Sequence, residues 1–251
     1  MAPKNKFTIV SYYTKDNEFS SYEAEANLLK KSMEKFGLDT SHIEEYKEDT
    51  GIWSWNTHYK MIFIKNKLKQ LNSPVVWTDA DSRIKKYPEL FNNLQDYDFA
   101  ANCRMKRGRQ LLHSGTMFFN NNSKAINLLD DWIEEDKKII EKSKQSDNLN
   151  NKKFTEQEGL RALLKRPGYA DTFNIYILPD SYHRIKDGVY SEKFYEKYKN
   201  IETIIEHSQA SVGMGDMKWR QQEEYFRSKG LQIYTGKKKQ RKQHIREFIN
   251  E

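Results

Sequence analysis

Two aspartates, Asp79 and Asp81, stand one residue apart directly after the apolar run 74–78. A short run of this kind is typical of a buried parallel strand, and polar side chains that follow such a strand lie where an active site can form. Alternation along an extended backbone would point both carboxylates to the same side. The pair could then hold one divalent cation, or a cation together with a ribose hydroxyl.

Asp-any-Asp pairs also have other uses. Phosphatases of the haloacid dehalogenase type place one after an apolar strand, but usually near the N-terminus and with Thr or Val at the fifth position, where this chain has Arg83. A simple cap of the turn after the strand is the plainer alternative, because a short motif is a weak hypothesis until its context supports it. The choice depends on what the rest of the chain brings to the same place.

Three further residues stand at chemically useful positions. Lys60 falls in the first turn of a predicted helix, where the helix dipole disfavours a cation unless an anion lies nearby. Gly115 stands two residues before an apolar run at 117–119. His207 follows a late apolar run. Each also has a plain structural interpretation, as a solvated lysine, a strand glycine or a core histidine.

The order of these features resembles the metal-dependent nucleotide-sugar glycosyltransferases of the GT-A fold, over about residues 7–213. In that family the Asp-any-Asp motif follows a buried strand, and its last Asp ligates Mn²⁺ or Mg²⁺ bound to the donor diphosphate. The resemblance implies an α/β, Rossmann-like GT-A fold with a mixed, mostly parallel sheet flanked by helices. It also implies transfer of a sugar from a nucleoside diphosphate donor, with a UDP-sugar expected. The sugar and the anomeric outcome stay open.

The resemblance implies where the donor and metal would bind. In the family, the end of the first strand meets the nucleotide base and ribose, and a basic residue in an early helix faces the donor. A strand that starts with a small residue and Gly passes under the sugar ring. The metal ligands would be Asp79, which can also hold the ribose, Asp81 and His207. The corresponding donor contacts would be Tyr12, Tyr13, Thr14, Lys60, Ser114 and Gly115.

A further acidic position is implied at the start of a late helix. Many GT-A families place an acid next to Gln there, facing the reacting centre. Glu156 and Gln157 match in type and order, so together with Asp81 they are the expected catalytic residues. Because the acid is often Asp in the family, Glu158 remains an alternative to Glu156.

Hydrophobic periodicity predicts the elements that must position these residues. Helices are predicted at residues 22–36, 57–71, 123–142 and 154–164. Strands are predicted at residues 7–14, 42–46, 74–78, 98–102, 114–120, 173–179 and 201–206. A basic cluster after the strand at 98–102 is either a surface loop or an acceptor-side loop that recognises phosphate or carboxylate, and it consists of Arg104, Lys106, Arg107 and Arg109.

The length of 251 residues suits one α/β domain with a sizeable core, or one domain plus an appendage. Cys103 is the single cysteine, which excludes an intrachain disulfide and fits a reducing compartment. No apolar run reaches the roughly 20 residues of a membrane span, and the N-terminus lacks the apolar stretch of a signal peptide. The expected location is cytoplasmic, or the host cytoplasm for a viral protein, unlike Golgi glycosyltransferases with their N-terminal anchor.

The positive charge is concentrated at the C-terminus. Residues 218–251 carry ten Lys and Arg against four Glu, which gives +6 of the net charge of +7. We therefore predict a glycosyltransferase domain at 1–217 and a basic, helical extension at 218–251. Such a tail is often a solvated end, but it can also hold a polyanion such as nucleic acid.

Aromatic residues interleaved with this charge favour a polyanionic acceptor, since they can stack on bases while Lys and Arg contact phosphates. The hypothesis is a nucleic acid, for example a hydroxymethylated base in virus-type DNA modification, flipped out of the stack to meet the donor. A glycan or protein acceptor, such as a viral or bacterial surface glycan, is the alternative. A non-catalytic nucleic-acid-binding adaptor on a GT-A scaffold is the alternative from another class. The oligomeric state stays open.

Overall fold

The computed structural model describes residues 5–15, 22–48, 56–106, 109–144, 155–186 and 200–208. The α-helices in these ranges are α1 (Tyr22–Glu34), α2 (Lys60–Leu71), α3 (Ser123–Lys144) and α4 (Glu156–Leu164). The strands are β1 (Thr8–Tyr13), β2 (Ile43–Glu45), β3 (Val75–Thr78), β4 (Ser82–Ile84), β5 (Phe99–Lys106), β6 (Arg109–Phe119), β7 (Ile175–Leu178), β8 (Arg184–Ile185) and β9 (Ile205–His207). None of the described helices is long and apolar enough to cross a membrane.

Six strands form the central sheet in the order β2-β1-β3-β6-β5-β7. The pairings of β1 with β2, β1 with β3 and β5 with β7 are parallel, whereas β6 runs antiparallel to both β3 and β5. The prediction of a mixed, mostly parallel sheet flanked by helices is confirmed. The predicted helical extension at 218–251 lies outside the described residues.

Helices cover both faces of the central sheet. Along β3, Val75 and Trp77 belong to a core cluster shared with α2, α3 and α4, and Val76 belongs to a second cluster shared with α1. This alternation explains why the strand is apolar at residues 75–77, which are buried on both faces. On the first face, α2 contributes Ile64 and Leu68, which are both fully buried. The polar residues of interest therefore lie at the ends of strands rather than on their faces.

A second sheet has three short strands in the order β4-β9-β8. β9 overlaps the strand predicted at 201–206, whereas β4 and β8 were not predicted. β4 begins directly after Asp81 and pairs antiparallel with β9, so that Ser82 lies opposite His207. β8 pairs parallel with β9. β4 has three residues and β8 has two, and neither lies in a longer apolar run, so no periodic signal marks them in the sequence. This small sheet brings the late part of the chain to the residues that follow β3.

β5 and β6 continue beyond the rest of the central sheet as a two-stranded ribbon. β3 pairs with β6 only from Thr116 onward, and β7 pairs with β5 only as far as Asn102. The register between β5 and β6 nevertheless continues to Lys106 and Arg109. The predicted loop at the basic cluster is therefore wrong for its described residues, because they pair as strands. Gly115 was expected near the start of a strand, but it lies well inside β6 because that strand already begins at Arg109.

Candidate active site

Asp79 and Asp81 lie in a tight turn at the C-terminal edge of the central sheet. β3 ends at Thr78, the amide of Asp79 donates to the carbonyl of Gly115 (2.9 Å), and the amide of Ser82 donates back to the carbonyl of Asp79 (3.0 Å). The two carboxylates thus approach each other through a turn, not along the extended backbone that the sequence argument assumed. The side chain of Asp79 is 35% exposed and that of Asp81 is 9% exposed. Asp79 is therefore the more accessible of the two.

β9 brings His207 to these carboxylates. Its pairing with β4 places His207 opposite Ser82, and the amide of Ser208 donates to the carbonyl of Asp81 (2.9 Å). One carboxylate oxygen of Asp79, one of Asp81 and one ring nitrogen of His207 all lie within 4.8 Å of one another. We call these three side chains the Asp-Asp-His cluster.

The Asp-Asp-His cluster fits a divalent cation in donor type and in spacing. Two bonds of about 2.1 Å to one Mg²⁺ place their ligand atoms no more than about 4.2 Å apart. The present spacing, within 4.8 Å, exceeds this by at most about 0.6 Å. Two carboxylates with one imidazole also suit Mn²⁺.

Hydroxyl groups hold the fully buried imidazole of His207. Its Nδ1 lies 3.0 Å from Oγ of Ser82 and its Nε2 lies 2.8 Å from Oγ1 of Thr116. Thr78 donates its own hydroxyl to Ser82 (2.7 Å), which fixes that partner in turn. A cation on one ring nitrogen would replace one hydroxyl contact. The remaining hydroxyl would then accept the other ring N–H and orient the ligand.

Lys60 connects the aspartate turn with the start of α4. Its Nζ lies 3.0 Å from Oδ1 of Asp79 and 2.7 Å from Oε1 of Glu156. It also donates to the carbonyl of Ser114 (3.3 Å), and the indole N–H of Trp77 donates to Asp79 (2.9 Å). The anions beside Lys60 are thus two carboxylates of the protein itself. Contact of Lys60 with a diphosphate remains a prediction.

Burial and ion pairing act in opposite directions on these charges. Burial lowers the pKa of Lys60, but the two carboxylates outweigh it and raise that pKa above its usual value. Burial raises the pKa of Glu156, but attraction by Lys60 and hydrogen bonds from Ser114 and Thr57 bring it below its usual value of 4.5. Burial raises the pKa of Asp79, and Lys60 opposes this only in part. Glu156 is therefore an ionised carboxylate and a weak base near neutral pH.

The first turn of α4 holds the backbone of β6 beside Lys60. Oε1 of Gln157 accepts the backbone N–H of Ser114 (3.0 Å), and the Ser114 hydroxyl donates to Oε1 of Glu156 (2.8 Å). Glu158 instead forms an ion pair with Arg161 and its side chain is 37% exposed. The structure therefore brings Glu156 and Gln157, rather than Glu158, to the Lys60 side of the site.

The residues predicted to contact the nucleotide lie at the end of β1. The ring of Tyr12 lies 5.2 Å from that of Trp77, within an aromatic group beside Lys60. The ring of Tyr13 faces the ammonium group of Lys30 at 5.3 Å, and Thr14 is buried. Tyr12 and Tyr13 therefore have packing partners within the protein, and nucleotide contacts by the three residues remain predictions.

Gly115 lies against His183, which the sequence analysis did not single out. A Cβ built at Gly115 would lie 2.5 Å from Cε1 of His183 and 3.1 Å from Oδ2 of Asp79. His183 directly precedes β8, and its ring centre is 4.2 Å from that of His207. The absence of a side chain at position 115 is thus required by the protein's own packing.

We expect Gly115→Ala to destabilise the protein. The new Cβ would overlap with His183, and overpacking of this kind costs about 1–3 kcal/mol. At about 2–4 °C for each kcal/mol, the melting temperature should fall by several degrees. Adding His183→Ala to Gly115→Ala should recover part of the loss, because it removes the clash. Thermal unfolding of the single and double variants measures both effects, and strictly additive losses would contradict direct contact.

Sequence reasoning missed the groups that surround the Asp-Asp-His cluster, namely Ser82, Thr116 and His183. Ser82 and Thr116 directly follow residues that were selected, so neighbours of a motif at a sheet edge were the available signal. His183 had none, because only the pairing of β8 with β9 brings it to the site.

The fold and site can be compared with known proteins. No protein-family model matches the sequence, and no curated protein sequence matches it. The structure is similar to that of a glycosyltransferase involved in the glycosylation of the major capsid of PBCV-1, with a TM-score of 0.52, 13% identity, and coverage of 86% of this chain and 99% of that chain. It is also similar to the WbbM bifunctional glycosyltransferase, with a TM-score of 0.50 and 11% identity, over 83% of this chain and 46% of that chain. The chain therefore has the GT-A glycosyltransferase fold.

Proposed function

We propose that the protein is a metal-dependent glycosyltransferase that moves a sugar from a nucleoside diphosphate donor, expected to be a UDP-sugar, to an acceptor hydroxyl. The observation that carries this proposal is the convergence of Asp79, Asp81 and His207 within 4.8 Å. They meet at the carboxyl end of β3, the side of an α/β sheet on which ligands bind. The GT-A fold supports the same reaction class.

Asp79, Asp81 and His207 would hold Mn²⁺ or Mg²⁺, and such a cation supplies Lewis-acid neutralisation of the charge on the leaving diphosphate. The exposed side of Asp79 can also accept a hydrogen bond from the ribose. Lys60 holds the other side of Asp79 through its ammonium group. It therefore sets the orientation of this carboxylate before the donor arrives.

Glu156 is better suited to hold a hydroxyl group than to remove its proton. Lys60 and Ser114 already donate to its Oε1, and its pKa is lowered. A general base at neutral pH works best with a pKa near the operating pH. We therefore assign to Glu156 the positioning of a sugar or acceptor hydroxyl. Gln157 keeps the Ser114 backbone beside it.

The reaction class is tested by UDP release from a panel of UDP-sugars with Mn²⁺, with and without EDTA. We expect at least one donor to release UDP in the presence of Mn²⁺ and EDTA to stop the release. If no donor releases UDP and no donor gives a metal-dependent thermal shift, the proposal is contradicted. That outcome would favour the non-catalytic nucleic-acid adaptor.

His207→Ala should weaken metal binding. Loss of one of three protein ligands should raise the Mn²⁺ concentration at half-maximal thermal stabilisation by at least about tenfold, the effect expected even for loss of an outer partner. Each variant is compared with its own metal-free melting temperature, because removal of a buried ring also destabilises the fold. The control is His42→Ala, because His42 directly precedes β2 and is not part of the Asp-Asp-His cluster. An unchanged Mn²⁺ midpoint would leave His207 with a purely structural role.

For the acceptor we propose an anionic molecule, with hydroxymethylated DNA as the specific case. The extension at 218–251 supports this by its charge, although it lies outside the described residues. The β5–β6 ribbon supports it by position, since it continues about 20 Å past Gly115 at about 3.3 Å per residue. Two basic residues, Lys106 and Arg109, occupy paired backbone positions in this ribbon.

Gel-shift and transfer assays test the acceptor with hydroxymethylated and plain duplex DNA at low and moderate salt. The full chain should bind DNA with a steep salt dependence, and a chain that ends at Met217 should bind more weakly. Transfer should require the hydroxymethyl group. Absence of salt-dependent binding, or binding and transfer unchanged by truncation, would favour a glycan or protein acceptor, as in the capsid glycosylation named for the similar structure.

A further inference from the structure

A buried hydrogen-bonded pair, His58 and Asp136, lies near Glu156. His58 belongs to the 3-10 turn Thr57–Tyr59 that leads into α2, and Asp136 lies in the middle of α3. Nδ1 of His58 and Oδ2 of Asp136 are 2.6 Å apart, and the two side chains are 6% and 3% exposed. Removing such groups from water costs several kcal/mol, and apolar residues of similar size are often as stabilising or more so. Stability alone therefore gives little reason for this pair.

The pair joins two structures that hold Glu156 from opposite sides. On one side, the turn before α2 provides the hydrogen bond from the Thr57 side chain to Glu156 and, three residues later, the ammonium group of Lys60. On the other side, Trp132 of α3 donates its indole N–H to the carbonyl of Glu156 (2.8 Å). Trp132 lies one helical turn before Asp136, so both point to the same face of α3. The hydrogen bond between His58 and Asp136 links the turn before α2 directly to α3, so the two elements that contact Glu156 are also connected to each other.

α4 rests directly on the same face of α3. A Cβ built at Gly159 would lie 3.2 Å from Oδ1 of Asp136 and 3.5 Å from the indole of Trp132. Glycine at this position lets the helix that begins with Glu156 approach the carboxylate of Asp136 closely. The position of Asp136 therefore affects both the turn before α2, through His58, and the first turn of α4, through the packing at Gly159.

Each partner of the pair depends on the other. Nε2 of His58 and Oδ1 of Asp136 are buried and have no hydrogen-bond partner among the described residues. Burial raises the pKa of Asp136, and the hydrogen bond from His58 opposes this. The 2.6 Å contact is thus the main polar interaction of either group, and it sets the orientation of both the His58 ring and the Asp136 carboxylate.

We propose that His58 and Asp136 are positioning residues that set the place of the Glu156 carboxylate relative to Lys60 and Asp79. The inference rests on the proposed glycosyl transfer, because it assigns the pair an effect on that reaction. A directional bond between the turn before α2 and α3 holds Glu156 where it meets the reacting hydroxyl. An apolar pair would fill the same space without this direction.

The test is the double variant His58→Leu/Asp136→Leu, which replaces the pair with apolar side chains. We expect a melting temperature equal to or above that of the wild type. The kcat for Mn²⁺-dependent UDP release should nevertheless fall by about 10- to 100-fold, the effect expected for a displacement of about 1 Å. The KM for the donor and the Mn²⁺ midpoint should stay within about threefold, because neither residue contacts the Asp-Asp-His cluster. A crystal structure of the variant should show the Glu156 carboxylate moved away from Lys60.

The matched control is Lys65→Leu/Asp130→Leu, since this pair also joins α2 to α3 but is more exposed. Its kcat should be unchanged. A folded His58→Leu/Asp136→Leu variant with wild-type kcat would overturn the positioning role. If that variant does not fold, His58→Phe keeps a ring in the same place but removes the hydrogen bond to Asp136, and a kcat equal to that of the wild type together with an unmoved Glu156 would overturn it instead. Absence of UDP release by the wild type contradicts the proposed function itself, so the two failures are distinguishable.

Discussion

Asp81→Asn should abolish UDP release while the protein remains folded. The substitution keeps the size of the side chain but removes one of the two negative charges of the Asp-Asp-His cluster. Loss of several kcal/mol of charge stabilisation corresponds to a decrease of about 10³-fold or more in kcat. The Mn²⁺-dependent rise in melting temperature should disappear as well. Steady-state kinetics and thermal unfolding at several Mn²⁺ concentrations measure the two effects.

Asp79→Asn and Asp171→Asn complete this experiment. Asp79→Asn should weaken donor binding in addition to metal binding, because its carboxylate is the exposed one and also contacts Lys60. Asp171 is exposed in the 3-10 turn Ala170–Thr172 and is not part of the Asp-Asp-His cluster, so Asp171→Asn should leave kcat and the metal response unchanged. Activity retained by Asp81→Asn would remove the metal assignment.

Lys60→Met should be the most destabilising substitution considered for this site. It removes the cation that lies between Asp79 and Glu156, and the side chains of Lys60 and Glu156 are only 5% and 4% exposed. Breaking a buried pair in this way costs about 3–5 kcal/mol, because an uncompensated charge is left behind. Chemical denaturation at pH 7 measures the loss of unfolding free energy. Lys65→Met on the same helix, where the pair with Asp130 is more exposed, should cost no more than about 1 kcal/mol.

The loss caused by Lys60→Met should also depend on pH. In the wild type the pKa of Glu156 is below its usual value of 4.5. The ionised carboxylate therefore stabilises the fold fully above about pH 4.5, and this contribution is lost as the pH falls through the lowered pKa. In the variant, burial without Lys60 should raise the pKa of Glu156, and acid should relieve the buried charge. The difference in stability between the two proteins should therefore shrink from pH 7 to pH 4. A constant difference would show that Lys60 does not hold Glu156 ionised.

The main elements of the fold were predictable because they carry strong periodic patterns. α3 was predicted at 123–142 and extends over Ser123–Lys144, and the run at 74–78 became β3. Asp79 and Asp81 were found because carboxylates at the end of a buried strand are unusual. The geometry that joins them was not predictable, because a turn after β3 depends on hydrogen bonds to Gly115 and Ser82.

The partners of the cluster depend on tertiary contacts that a sequence does not display. β4 and β8 are too short to be stable alone, and they exist because β9 lies between them. His207 was selected from its position after an apolar run, but its place opposite Ser82 follows only from this pairing. For Lys60, the sequence indicated a nearby anion. The structure shows that Asp79 and Glu156 are such anions. They meet because β3 ends, and α4 begins, at the same edge of the central sheet.

The central claim is that Asp79, Asp81 and His207 form the metal site of a nucleotide-sugar glycosyltransferase. It is tested most directly by anomalous scattering from crystals that contain Mn²⁺ and UDP. We predict a manganese peak within bonding distance of all three side chains and of the UDP diphosphate. A structure with UDP bound and manganese either absent or located away from these residues would contradict the claim.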